Sequence, residues 1–147
     1  MTTDPTPITD ALLHVAERSF FAWAEPAAVP ETSPDGEGWR HAAVVFRGEF
    51  DGRMTFSLPD ALARDLYAAF LGLAPDDPVE ESALCDLLGE FANMVCGTWL
   101  TRIQRAHAFS LDRPVAAAAA PAGAPLAAAL VNDQPVVVAL ALEESAG

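Results

Sequence analysis

From His41 onward the apolar residues alternate. Val44, Phe46, Gly48 and Phe50 share one face of an extended chain, Asp51-Gly52 intervenes, and Met54, Phe56 and Leu58 resume the pattern. A period of two sends successive side chains to opposite faces of a strand, and Asp-Gly between two such runs is a strong signal for a tight hairpin. The expected unit is an antiparallel hairpin with one apolar face, turning at Asp51-Gly52. An isolated hairpin is marginal in water, so the remainder of the chain must cover that face.

Helical periodicity on both sides supplies the cover. Thr9 or Asp10 is placed to cap a first helix running to about Trp23, with Ala11, Leu12, Val15, Ala16, Ser19 and Phe20 on its apolar stripe. Pro26 and Pro30 are expected to stop it, and the segment from Glu25 to Gly38, rich in Pro, Glu, Ser and Gly, is expected to be an exposed loop. Pro59 and Asp60 open a second helix, Ala61 to about Leu73, which ends at Pro75-Asp76-Asp77-Pro78. The third and longest helix is expected from Val79 to Arg105, with Glu80 and Glu81 complementing the dipole of its first turn. Beyond it come a strand near Phe109 to Ala117, an Ala/Pro/Gly linker, and a last strand at Pro135 to Leu142 carrying Val136, Val137 and Val138. This order predicts an α+β class: an antiparallel sheet packed by helices, one domain over residues 1–147, with residues 1–7 flexible.

The charge balance excludes several functions. All eight cations are arginines, there is no lysine, and 21 carboxylates leave a formal charge of −13. Nucleic acid is not an expected partner, because phosphate binding needs a basic face. P-loop and Schiff-base chemistry both require a lysine. The N-terminus has no basic stretch followed by an apolar core, so a cytoplasmic location is expected. Val115 to Val131 is apolar but broken by Pro121, Gly123 and Pro125, so no membrane span is expected. Cys85 and Cys96 would lie roughly 16 Å apart on one helix, too far to pair, and are expected as free thiols. His14, His41 and His107 are scattered, no Cys/His spacing suits a metal, and no metal site is expected.

The third helix carries the chemistry. At 3.6 residues per turn, Leu84, Leu87, Leu88, Phe91, Val95 and Trp99 gather on one side. Ser82, Asp86, Gly89, Glu90, Asn93, Gly97, Thr101 and Gln104 gather on the other. The second face is polar but small, and each of its glycines weakens a helix by about 1 kcal/mol relative to alanine. Glycines there leave Glu90 and Asn93 standing clear, so that a second backbone can approach, and residues at i and i+3 reach one target together. From geometry alone this face is a docking surface or a plain exposed one.

The stretch Asp86-Leu-Leu-Gly-Glu90-Phe-Ala-Asn93-Met-Val-Cys-Gly97 resembles the Asp/Ser-x-x-x-Glu-x-x-Asn motif of the CheC/CheX chemotaxis phosphatases, and CheX in particular. Gly48-Glu-Phe-Asp-Gly52-Arg-Met-Thr-Phe looks like the family's glycine-spaced hairpin, and Phe109-Ser-Leu-Asp-Arg-Pro114-Val like its strand after the motif helix. The resemblance covers most of residues 8 to 144, although only the central motif is specific. CheC-type members carry two motif copies; here the first helix, with Asp10, His14, Glu17 and Arg18, has no matching Asn.

The resemblance implies a phosphatase acting on the aspartyl phosphate of a phosphorylated CheY-type response regulator. Asn93 would orient the attacking water, and Glu90 would pair with the regulator's lysine. Asp86, Gly89 and Gly97 would belong to the partner-binding face. The chain would need no cofactor of its own, since Mg2+ belongs to the regulator. A homodimer is implied by the family alone. The alternative is a non-catalytic CheX-like module that docks a regulator or another signalling partner through the same helix. A response regulator itself is excluded, because the receiver's lysine has no counterpart.

Overall fold

The computed structural model describes residues 4–74, 76–103, 109–117 and 124–143. Among the described residues three helices, α1 (Thr6–Phe20), α2 (Asp60–Leu71) and α3 (Glu81–Ile103), accompany seven strands. These are β1 (Ala24–Pro26), β2 (Trp39–Arg47), β3 (Asp51–Pro59), β4 (Ser110–Leu111), β5 (Val115–Ala117), β6 (Pro125–Val131) and β7 (Gln134–Glu143). They form one antiparallel sheet in the order β1-β6-β7-β3-β2, with β4 and β5 sharing the outer edge of β2. The α+β class expected from the sequence is the one observed.

Pairing register explains which face is the core. Ala42, Phe56, Val138 and Ala127 stand in one row across four strands, and Val44 and Met54 in the next inward-facing row; all are buried. Onto them pack Ile8, Leu12, Val15 and Phe20 of α1 and Leu84, Leu88, Phe91, Val95 and Trp99 of α3. The opposite face has the row His41, Ser57, Val137 and Ala128, also buried. There Ser57 Oγ lies 2.8 Å from His41 Nδ1, and Asp35 Oδ1 lies 3.5 Å from His41 Nε2. His41 is thus a satisfied interior histidine that ties the β1–β2 connection to the sheet. His107 lies outside the described residues.

Several boundaries differ from the sequence expectation for identifiable reasons. α1 begins at Thr6, with Asp4 Oδ1 accepting from Thr6 N at 3.0 Å, so Thr9 lies inside the helix and Thr6 and Pro7 belong to its first turn; residues 1–3 lie outside the described ones. The helix stops at Phe20 rather than near Trp23, because Phe21 turns left-handed (φ 54°) and the chain reverses before either proline is reached. Within the expected loop, Ala24–Pro26 form β1 by pairing with β6. The Ala/Pro-rich stretch was expected as linker, yet Pro125–Val131 is a strand joined to β7 through Asn132-Asp133. Both turn residues have positive φ (49° and 65°), the type I′ geometry that Asn and Asp tolerate best. Asn132 also accepts from Trp23 N at 3.0 Å and donates its own backbone N–H to Trp23 O at 2.7 Å.

The β2–β3 hairpin turns at Gly48-Glu49-Phe50, not at Asp51-Gly52, which are already strand. Asp51 Oδ1 closes the turn by accepting from Gly48 N at 3.2 Å. Gly52 is instead required by packing. A Cβ there would meet Phe46 Cζ at 2.6 Å and the Ala141 carbonyl oxygen at 2.8 Å. Because one clash is with backbone, the Gly52→Ala variant is expected to lose about 1–3 kcal/mol of stability by urea denaturation.

The start of α3 is anchored by charge. Arg40 of β2 forks onto both Glu81 oxygens at 2.6 and 2.8 Å, and its Nε donates to Asp60 Oδ1. Arg64 Nε donates to Asp60 Oδ2 at 2.8 Å. The Arg40 hydrogen bond holds the Glu81 carboxyl below its usual range. At Asp60 partial burial works the other way, but hydrogen bonds from Arg64 and Arg40 prevail and lower it too. Carboxylates depressed in this way stabilise the fold above their ordinary values of 3.8 and 4.5, and that contribution disappears as pH falls through the lower folded values. Arg40→Met is therefore expected to lower stability by about 1–2 kcal/mol at neutral pH, with the difference from the parent chain shrinking as pH falls below the ordinary carboxylate values of 3.8 and 4.5 in parallel denaturation curves.

Candidate functional site

The rotation of α3 about its axis decides what it presents. Phe91 packs edge-on to Phe20 (5.2 Å) and Phe56 (6.1 Å), and Trp99 packs against Phe46 (5.5 Å) and Phe50 (6.1 Å). With those rings buried, Asp86 and Glu90 are exposed and Asn93 is half-buried. Glu90 and Asn93 are three residues apart, so their Cβ atoms are neighbours at about 5–6 Å on the helix surface. Ser82 and Thr101 are exposed on this face as the helical spacing predicts; Gln104 lies outside the described residues.

Two shallow depressions border this ridge. One, about 480 Å³, is lined by Cys85, Asp86, Gly89, Glu90, Arg113 and Pro114. The other, about 460 Å³, lies between Asn93, Gly97, Thr98 and Arg102 on the helix and Leu111 of β4. Glu90 therefore faces one hollow and Asn93 the other. Thr101 Oγ1 donates back to the Gly97 carbonyl at 2.8 Å and stays with its own helix.

The two glycines play different parts. Gly89 was expected to admit an approaching partner, but it is buried, and the approach it permits is intramolecular. A Cβ there would sit 3.3 Å from both Cβ and Cγ of Pro114. Pro114 lies in the break between β4 and β5 on the edge of β2, where it has no N–H to offer a ladder. Gly97 is half-buried, and a Cβ there would meet only Leu111 Cδ1 at an ordinary 3.7 Å. Arg113 and Pro114 were read from sequence merely as strand residues; the Asp-Arg-Pro order was the signal that the strand must break there.

The thiols do not join the site chemistry. Cys96 is buried, which pushes its thiol up to about 12, well into the unreactive range. Cys85 is half-buried and lies 3.9 Å from Glu81 Oε1. Among the described residues no group of three or more His, Cys, Asp or Glu could hold a metal ion, and no helix is long and apolar enough to cross a membrane.

An antiparallel sheet backed by α1 and α3, with a Glu-x-x-Asn pair on the outward face of the long helix between two shallow hollows, defines a small α+β fold. The sequence matches the family model described as "Chemotaxis phosphatase CheX" over residues 41–132, more than half of the chain. The chain belongs to the CheX family. Its fold is similar to that of a chemotaxis protein CheX from Desulfovibrio desulfuricans, with a TM-score of 0.74 at 18% identity over 94% of this chain and 97% of that one. It is also similar to CheX from Vibrio vulnificus (TM-score 0.72, 16% identity, 94% and 95% covered). A third similar structure is the CheX-CheY-BeF3-Mg2+ complex from Borrelia burgdorferi (TM-score 0.66, 15% identity, 95% and 97% covered). No curated protein matches the chain.

The glycine geometry makes a stability prediction. Gly97→Ala adds helix propensity without a clash and is expected to stabilise the fold by about 0.5–1 kcal/mol in thermal or chemical denaturation. Gly89→Ala carries the same propensity gain but must displace Pro114 by a few tenths of an ångström, so its gain is expected to be smaller than that of Gly97→Ala.

Proposed function

We propose that this chain is a phosphatase for the aspartyl phosphate of a CheY-type response regulator, with Asn93 positioning the water and Glu90 anchoring the complex. The observation that carries this reading is the pair itself. An exposed Glu90 and a half-buried Asn93 stand together on the open face of α3 in a member of the CheX family. The Borrelia burgdorferi relative, whose structure is a complex with CheY, BeF3 and Mg2+, supports a partner of that type.

An aspartyl phosphate is an activated acyl phosphate, so its hydrolysis is limited by placing water in line with the phosphorus. The Asn93 amide accepts a hydrogen bond from the water through its carbonyl oxygen and directs a lone pair at phosphorus, while its NH2 group donates to a phosphoryl oxygen. Attack forms the new P–O bond as the bond to the aspartate oxygen breaks; inorganic phosphate and a free carboxylate result. The regulator contributes Mg2+, which offsets charge on the phosphoryl oxygens, and a lysine, which pairs with Glu90 and fixes the register of docking. Residues Asp86 and Gly97 border the same face and would lie under the docked partner, with Gly89 beneath them as part of the floor.

The test is the decay of phosphate on a CheY-type regulator phosphorylated from a small-molecule phosphodonor. Wild-type protein is expected to accelerate it catalytically. Asn93→Ala should lose about 10²-fold in rate while still binding, and Glu90→Ala should lose mainly affinity. Equal acceleration by wild type and Asn93→Ala would sink the catalytic role. Saturable binding with no change in phosphate lifetime would make the chain a docking module instead.

A further inference from the structure

Three of the eight arginines have an acidic partner among the described residues. Arg40 is engaged by Glu81 and Asp60, Arg64 by Asp60, and Arg47 by Asp112. Arg113 is one of those left without such a partner, and it borders the candidate site. It is exposed, has no ion-pair or hydrogen-bond partner among the described residues, and lines the hollow whose other wall is Asp86 and Glu90.

Its backbone is also held. Asp112 N donates to the Val45 carbonyl at 2.9 Å, and the Asp112 carboxylate lies 3.8 Å from Arg47 Nε. On the other side, Pro114 seats on Gly89. A residue preceding proline is restricted to extended conformations, so Arg113 is fixed on both sides and by its own φ/ψ limits. Gly89, which contributes nothing to hydrolysis, thereby has a purpose: a side chain there would lift Pro114 and the arginine with it. Arg102 flanks the second hollow, beside Asn93, and is likewise exposed and without a partner among the described residues. The face therefore runs cation, anionic ridge, cation.

We propose that Arg113 is a second electrostatic anchor for the docked regulator, pairing with a carboxylate beside the lysine that Glu90 engages and so selecting which regulator is bound. This rests on the phosphatase or docking reading of the same face. The partner chemistry follows from what the regulator must carry. A Mg2+ site is built from carboxylates, so the mouth that receives Glu90 is acidic around its one lysine. A chain of net charge −13 would be repelled there unless cations flanked the anchor. Arg113 lies on the Glu90 side of the ridge, whereas Asn93 borders the other hollow, so Arg113 contacts the rim and not the reacting phosphoryl group. It is a specificity-determining residue and not a catalytic one.

The experiment measures regulator binding and dephosphorylation in parallel for wild type, Arg113→Gln, Arg113→Lys and Arg113→Glu, at several salt concentrations. Arg113→Gln is expected to raise KM and the binding Kd about tenfold with kcat within about twofold, and to flatten the dependence of kcat/KM on salt. Arg113→Lys should recover part of the affinity, and Arg113→Glu should lose more than Arg113→Gln. Unchanged thermal unfolding separates these effects from misfolding. If wild type binds and Arg113→Gln matches it in KM, Kd and salt dependence, the anchor is overturned while the parent reading stands. A fall in kcat at unchanged KM also overturns it. If wild type neither binds nor dephosphorylates the regulator, both readings fail together.

Discussion

Two aromatic locks, eight residues apart on α3, hold the orientation on which the rest depends. Phe91 is wedged between Phe20 of α1 and Phe56 of β3, and Trp99 between Phe46 and Phe50 at the β2–β3 hairpin. Successive helical residues differ by 100° in direction, so turning α3 by one position would carry Glu90 towards the core in place of Phe91. Burying a carboxylate without a partner is far more unfavourable than any gain from repacking. The helix thus has one permitted rotation, and in it Glu90 and Asn93 face outward.

That constraint was legible in the sequence because large apolar residues at helical spacing can only face inward: every residue assigned to the apolar stripe, from Leu84 to Trp99, is buried. Legibility failed where a residue's reason is tertiary. Gly52 looks like a turn glycine, but its lack of a side chain is demanded by Phe46 and by the Ala141 carbonyl, a strand contributed by the far end of the chain. Gly89 reads as an opening for a partner and is filled by Pro114, more than twenty positions away. β6 has buried alanines at 127, 128 and 129, which show no alternation and weak strand preference. It becomes a strand because β1 and β7 pair with it on both sides and the Asn132-Asp133 turn sets its register. Likewise the site pair could be named from its motif, whereas the hollow beside it depends on a loop whose path no local pattern reveals.

Charge is used unevenly over the molecule. Arg40 reaches from β2 to the first residues of both α2 and α3, so a single guanidinium sets where two helices begin relative to the sheet. The start of α3 is thereby fixed by an ion pair and its middle by aromatic packing. Between these fixed points the helix needs little from its outer face, which explains how that face can tolerate the half-buried Gly97, whereas Gly89 is kept small by Pro114. Fold stability comes from the inward side and from the Arg40 fork, and the outward side contributes little to it.

A ridge flanked by two shallow hollows is an unusual shape for a site that performs chemistry, since small substrates are normally enclosed in a concave pocket that strips away water. The shape becomes reasonable if the substrate is itself held in the cleft of a folded partner. The enclosing surface, the metal and the labile bond then all belong to that partner, and what is required here is a rigid projection of correct width and charge. A helix supplies rigidity, an i, i+3 spacing supplies width, and Glu90 with Arg113 across one hollow supplies opposite charges in a fixed order. Exclusion of water, and with it the strength of each of these contacts, arises only when the two surfaces meet. Under the proposed function the free chain would hold an incomplete site, and its selectivity would reside in the fit of the rim at least as much as in the Asn93 amide.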